Sequence, residues 1–253
     1  MIESDFFTEV EHSMVPWLGY HLHVPVFYFD TRYMSATFLS PIDKVRSMLP
    51  SKRLHPFGVM PGRAAVTISA YQYRESDLGP YNEVSIGIPV SLDKPTRLFT
   101  GSLRKVPSPV MIYVYSLPVT TEIARKVGVD FVGYPKYIAQ IEFKEDEDWL
   151  SCTLALEGEL IFTLKGRKLA GRPVSRTRIN PLTGRKGYIL RSEVVTCERE
   201  EGSSRRKGDA LLTLGDHPLA EQLKMLGLQT PSRYSYCPRS QSILTPVFES
   251  FAA

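Results

Sequence analysis

Cysteine is scarce in this chain of 253 residues: Cys152, Cys197 and Cys237 are the only three, and no two form a C-x-x-C pair. An odd, widely spaced set supports neither a disulfide framework nor a structural zinc site, and a reducing, intracellular compartment fits it best. Long apolar runs are missing as well. Nothing approaches the roughly 18 consecutive apolar residues of a membrane span. The opening residues, MIESDFFTEVEHS, are acidic and lack the positive start and apolar stretch of a secretory signal. The expectation is a soluble, cytoplasmic protein with no membrane partner. An excess of one charge is also absent. Against 27 Asp and Glu stand 31 Lys and Arg, and a net charge of +4 is too small to mark a nucleic-acid binder. No repeat, low-complexity segment or linker divides the chain, so residues 1–253 read as one domain.

Strand signals dominate what is present. Residues 64–73 alternate, with Val66, Ile68 and Ala70 on one face and Thr67, Ser69 and Tyr71 on the other. In the next candidate strand Val84, Ile86, Ile88 and Val90 share one parity, and Glu83, Ser85 and Gly87 take the other. Residues 110–119, 136–144 and 186–198 read as further strands, and 149–157 with 159–165 as a hairpin about Gly158. Helices are few. Ser40-Pro41-Ile42-Asp43 opens one with a serine N-cap, residues 120–127 form a second that stops at Gly128 as a left-handed C-cap, and residues 216–226 form a third before Gly227. This pattern predicts a mainly β (α+β) fold. A large curved antiparallel sheet closes into a cone- or barrel-like core with about three short peripheral helices.

Four features bear on chemistry. Glu83 shares a strand face with the small residues Ser85 and Gly87. That face is either solvent-exposed or the polar wall of a cavity. Lys136 sits in Gly133-Tyr134-Pro135-Lys136-Tyr137-Ile138, with no acid between residues 131 and 140. An apolar setting disfavours an ammonium ion and makes free amine available, and a free amine attacks carbonyl carbon. His21 and His23 form a His-x-His pair, but the sequence offers no third ligand, so no metal site is assigned. Residues 160–192 hold nine Lys or Arg and no acid, with only Phe162 and Tyr188 as aromatics. They read as a solvated hairpin with a turn at Pro181-Leu182-Thr183-Gly184, not as a nucleic-acid site.

Two of these segments resemble the acetoacetate decarboxylase family. Tyr81-Asn82-Glu83, running on into Ile88-Pro89-Val90-Ser91, resembles that family's Tyr-x-Glu strand. Tyr134-Pro135-Lys136 resembles its Tyr-Pro-Lys-Lys motif. Weaker similarity covers residues 38–50, and 212–227 with Gly215-Asp216-His217. The resemblance implies that Lys136 forms a Schiff base with a small carbonyl substrate and that Glu83 orients the substrate or moves protons. It implies no metal or organic cofactor, and a homo-oligomer. It departs at two positions. Tyr137 stands where the family has a second lysine, from where it could donate a hydrogen bond near the reacting nitrogen. Leu39 stands where the family carries a carboxylate-holding arginine, with Arg32 and Arg46 the nearby arginines that could replace it. The expected function is a carbon–carbon lyase on a β-keto acid or related carbonyl compound. A Schiff-base aldolase or dehydratase, a non-catalytic small-ligand binder and an RNA-associated protein are the alternatives.

Overall fold

The structure, a computed structural model, describes residues 5–8, 10–17, 19–96, 109–173 and 176–253. Helix α1 (Asp5–Thr8) precedes a hairpin of β1 (Ser13–Trp17) and β2 (Tyr20–Val24). The long β3 (Val26–Pro41) leads through α2 (Ile42–Arg46) and the short β4 (Leu54–Pro56) and β5 (Gly58–Met60) to β6 (Arg63–Ser76) and β7 (Tyr81–Leu92). Next come β8 (Val110–Val119), α3 (Glu122–Val127), a π-helical turn over Gly128–Val132 and β9 (Lys136–Ile138). Strands β10 (Gln140–Glu145), β11 (Trp149–Leu156), β12 (Glu159–Arg167), β13 (Thr177–Arg185), β14 (Tyr188–Arg191), β15 (Val194–Ser204) and β16 (Ala210–Leu214) follow. The chain ends with α4 (Pro218–Met225), β17 (Arg233–Leu244) and β18 (Glu249–Ala252).

Seven of the described strands close a ring in the order β13-β15-β17-β3-β6-β7-β8. Pairing around it is antiparallel until β8 meets β13, where a parallel ladder from Val110↔Ile179 to Tyr113↔Leu182 seals the barrel. The far end of the same β8 edge takes β9, also parallel, through Leu117↔Lys136 and Val119↔Ile138. A separate sheet, β10-β11-β12-β16, lies against the outside of the ring.

This arrangement explains the alternation of β3, β6 and β7. Their apolar rows, including Met34, Phe38, Ile68, Ile86 and Ile88, point outward and pack with Leu150, Leu154, Phe162 and Leu164 of the second sheet and with Leu223 of α4. Each fully buried side chain of this size contributes about 1.5–3 kcal/mol by leaving water. Their other rows are mostly polar, with small residues and tyrosines, and closure of the ring turns them into the wall of a lumen. The mainly β, barrel-like architecture read from the sequence is the observed one.

Several local expectations differ from the structure. Residues 136–144 are two strands rather than one: at Ala139, whose N–H donates to the Val119 carbonyl at 3.0 Å, the chain leaves the ring for the second sheet. Alternation continues through such a change of partner and cannot signal it. Residues 186–198 likewise break between Arg191 and Val194. Pro181–Gly184 is not a turn but the middle of β13, and Asn180, Leu182 and Thr183 are buried. The reversal is one step later, at Lys186-Gly187, where φ values of 50° and 80° make the two-residue hairpin turn. The basic segment thus runs from β12 of the second sheet to the hairpin of β13 and β14, of which β13 is a ring strand, and most of its Lys and Arg are exposed. Gly128 does not end α3 in a left-handed conformation. Its φ is −62°, the backbone continues as the π-helical turn, and the left-handed cap is Gly133 at φ 72°. Ser40 caps no helix; its hydroxyl donates to the Leu226 carbonyl at 2.8 Å. The third helix starts at Pro218, with His217 Nδ1 accepting the Leu219 N–H at 3.1 Å.

Candidate active site

The lumen is a cavity of about 400 Å³, within the range of small-molecule sites. Its floor is built by the path from β8 to β9. After α3, the π-helical turn brings Tyr134 N–H to the Gly128 carbonyl at 2.9 Å, and Lys136 N–H then donates to the Tyr134 carbonyl at 2.8 Å. Single π-helical turns are rare and frequently lie at functional sites. Here the turn presents Gly128 to the aliphatic stem of Lys136. A β-carbon at Gly128 would lie 2.4 Å from Lys136 Cδ and 2.6 Å from Cε. This glycine, at an ordinary φ, leaves room for the Lys136 stem in its present rotamer.

Guided by that groove, Lys136 Nζ reaches Glu83 Oε2 at 2.7 Å. The two side chains are 3% and 8% exposed, so this is a buried ion pair. Tyr73 donates its hydroxyl to the other carboxylate oxygen at 3.2 Å, and the Tyr81 ring lies 5.5 Å from the ammonium nitrogen. Lys136 and Glu83, singled out separately in the sequence, thus share one cavity wall. The acid-free sequence around Lys136 did not foretell an acid-free site, because the fold supplies Glu83 from β7. Tyr137 faces the other way. Strand alternation turns it out of the lumen, and its hydroxyl is hydrogen-bonded to Ser116 at 3.1 Å. Placed there, Tyr137 does not line the cavity beside the nitrogen.

The tyrosines that do line the lumen are Tyr28, Tyr33, Tyr71, Tyr73 and Tyr134. Burial raises all of them: Tyr71 is pushed up to about 12, and Tyr28 and Tyr73 are raised further, with the Glu83 carboxylate adding to burial. They are neutral hydrogen-bond donors at physiological pH.

Two further groups escaped the sequence reading. Glu198, on β15, is buried in the lumen wall. Thr177 donates to its Oε1 at 3.2 Å and Tyr33 does so over a longer 3.5 Å, while Oε2 is buried without a partner. Burial first, and the nearby Glu201 second, raise its carboxyl above the ordinary range. Arg233, on β17, lines the opposite end of the lumen. The register Arg233↔Thr37↔Thr67↔Gly87 puts it four residues along β7 from Glu83, roughly 13 Å at about 3.3 Å per residue. Among the described residues no carboxylate pairs with its guanidinium. Leu39 does not line the cavity, and neither do Arg32, which binds Gln72 and Glu145, or Arg46, which binds Asp43.

Glu198 gives a testable linkage. At about pH 3 and below, well under the unfolded value, its carboxyl is neutral in folded and unfolded chains alike. As the pH rises past the unfolded value of about 4.3, the unfolded chain releases a proton that buried Glu198 keeps, and the fold loses relative stability. Glu198→Gln is therefore expected to be more stable than the wild type at pH 7, by on the order of 1 kcal/mol, and about equal to it at about pH 3. Urea denaturation at the two pH values measures this. No gain at pH 7 would mean that the folded carboxyl ionises freely.

A closed β-barrel whose lumen holds a buried amine against a carboxylate is the class of protein that this geometry defines. The chain belongs to the acetoacetate decarboxylase family, whose sequence model matches residues 14–245. Solved structures share the fold. Acetoacetate decarboxylase of Legionella pneumophila is 15% identical with a TM-score of 0.62, over 90% of this chain and 88% of that one. The enduracididine biosynthesis enzyme MppR, solved with the condensation product of pyruvate and imidazole 4-carboxaldehyde, is 14% identical with a TM-score of 0.60, over 90% and 88%. An acetoacetate decarboxylase-like enzyme from Sphingomonas wittichii is 14% identical with a TM-score of 0.56, over 92% and 96%. Among curated protein sequences none matches this chain significantly. No helix among the described residues is long and apolar enough to cross a membrane.

Proposed function

We propose that this protein is a Schiff-base lyase that breaks a carbon–carbon bond in a carbonyl compound larger than acetoacetate. The observation that carries the reading is the 2.7 Å contact between Lys136 Nζ and Glu83 Oε2 inside the barrel lumen. Glu83 takes a proton from the Lys136 ammonium, and the free amine attacks the substrate's carbonyl carbon. The proton returns from Glu83 to the carbinolamine hydroxyl, which leaves as water. The resulting protonated imine accepts the electron pair of the breaking carbon–carbon bond, giving an enamine, while the fragment that loses the pair departs as carbon dioxide from a β-carboxylate or as a carbonyl compound from a β-hydroxyl that gives up its proton. Protonation of the enamine at carbon and hydrolysis of the imine release product and restore the lysine.

Two features favour a substrate other than acetoacetate. The cavity is far roomier than a four-carbon acid needs. Among the described residues a β-carboxylate beside the imine would find no arginine there, since Leu39, Arg32 and Arg46 are outside the lumen and Tyr137 points away. The remote Arg233 suits a carboxylate at the far end of a longer molecule. That same distance supports a second reading, an aldolase or dehydratase that uses the same imine.

A paired assay tests the proposal: carbon dioxide release from acetoacetate, and borohydride-trapped mass adducts at Lys136 from a panel of oxo acids and aldehydes. Adducts from longer oxo acids with little carbon dioxide release are expected. Efficient release from acetoacetate, at a kcat/KM of about 10⁴ M⁻¹s⁻¹ or more, would refute the substrate assignment. A folded protein giving no adduct would refute the Schiff base itself and leave a non-catalytic binder.

A further inference from the structure

Outside the lumen, three potential metal ligands from three separate segments converge. His12 precedes β1, His23 lies on β2, and Asp77 follows β6 in the turn to Gly79. One ligand atom of each lies within 4.8 Å of the other two. His21, the other half of the His-x-His pair, is not part of the group.

The cluster is held from several sides. Asp77 Oδ2 accepts the Phe27 N–H at 2.7 Å and contacts His12 Nε2 at 3.0 Å. The His12 ring stacks on Phe27 with centroids 3.9 Å apart, and its other neighbour is the His23 ring at 4.5 Å. A plain histidine–aspartate hydrogen bond accounts for His12 and Asp77 but not for His23. His23 Nδ1 is sealed from solvent and has no hydrogen-bond partner, a costly state for a ring nitrogen.

We propose that His12, His23 and Asp77 bind one divalent transition-metal ion of the zinc class. Two imidazoles and a carboxylate suit Zn²⁺ or Co²⁺, with water completing a four-coordinate site. Binding would draw the three side chains together from their present spacing and hold the β1–β2 hairpin to the end of β6. That hairpin matters to the lumen. Leu22, Val24 and Trp17 pack in one apolar cluster with Phe131 and Val132 of the π-helical turn, and with Tyr134 just before Lys136. The ion would thus fasten the cover of the turn that presents the lysine. This assignment is independent of the Schiff-base reading.

The test is a titration of the chelator-treated full-length protein with Co²⁺, followed by competition with Zn²⁺. One equivalent should bind with the intense visible bands of four-coordinate Co²⁺, Zn²⁺ should displace it, and Zn²⁺ should raise the melting temperature. His23→Ala and His12→Ala should each weaken binding by about tenfold or more, while His21→Ala should leave it unchanged. Absence of one-equivalent binding by the wild-type protein, or equal binding by the His12 and His23 variants, would overturn the proposal. Because the wild-type titration and the ring-proton shifts of His12 and His23 on adding Zn²⁺ need no substitution, a variant that fails to fold does not spare the proposal.

Discussion

Lys136→Met is expected to abolish the borohydride-trapped adduct with every carbonyl compound that labels the wild-type protein, and to lower any turnover by at least about 10³-fold. Methionine keeps the length and apolar stem of the side chain but has no nitrogen to attack a carbonyl. Among the described residues no other lysine lines the cavity, so none of them can take over in the same place. Circular dichroism separates this from simple unfolding. Gly128→Ala is the finer probe of the same group. Its β-carbon would stand 2.4 Å from Lys136 Cδ, and the flexible lysine stem, not the backbone, is what can move. Alanine also accepts φ −62° without strain. The variant should stay folded while its trapping rate falls by about tenfold or more, because a displacement near 1 Å already costs heavily in a positioned reaction. Retention of the wild-type rate would show that Lys136 reacts from some other rotamer. A surviving adduct in Lys136→Met, mapped to another residue, would remove Lys136 from its proposed role.

Much of this site was legible as local pattern, and the remainder depended on closure of the ring. Alternation separated Glu83, Ser85 and Gly87 from Val84, Ile86 and Ile88, and the structure keeps that division. Alternation could not say that the polar row faces a lumen instead of water. That follows from the ladder between β8 and β13, which joins segments distant in sequence. Local pattern likewise could not pair Lys136 with Glu83, since β9 must dock on β8 before Glu83 of β7 comes within reach; the resemblance of the two motifs is what put both residues at one site. Tyr137 is a different lesson. The pattern placed Tyr137 with Ala139 and Ile141, opposite Lys136, and a similarity of motif drew it toward the reacting nitrogen. The backbone obeys the alternation. Gly128 reads locally as a helix stop, because glycine at a helix end ordinarily supplies positive φ; a glycine kept for the passage of a distant side chain looks the same in sequence. Glu198 shares its face with Val194 and Thr196, a parity that was visible. The break at Ser192 and Glu193 leaves no mark in the pattern of residues 186–198, so nothing local sets Glu198 apart as a lumen residue.

Glu83→Gln should show whether the carboxylate does more than neutralise the lysine. The substitution preserves shape and a hydrogen-bond acceptor for Tyr73, and removes the negative charge and the proton acceptor. Two losses are expected. Stability should fall by about 3–5 kcal/mol at pH 7, because the Lys136 ammonium, with 3% of its side chain exposed, is left without its counter-charge. Imine formation should slow by about 10²–10⁴-fold, the usual contribution of a positioned general base and acid. The double variant Glu83→Gln with Lys136→Met separates the two. If the stability loss is electrostatic, removing the ammonium as well should recover most of it, and the cycle will report a coupling energy of several kcal/mol. The kinetic loss is read in the single variant as a fall in trapping rate with little change in ligand affinity, since Glu83 is proposed to move protons rather than to hold the distant end of the substrate. An unchanged trapping rate in folded Glu83→Gln would reduce Glu83 to an ion-pair partner and leave proton transfer to water or to Tyr73. A loss that appears wholly in affinity would instead make it a binding group.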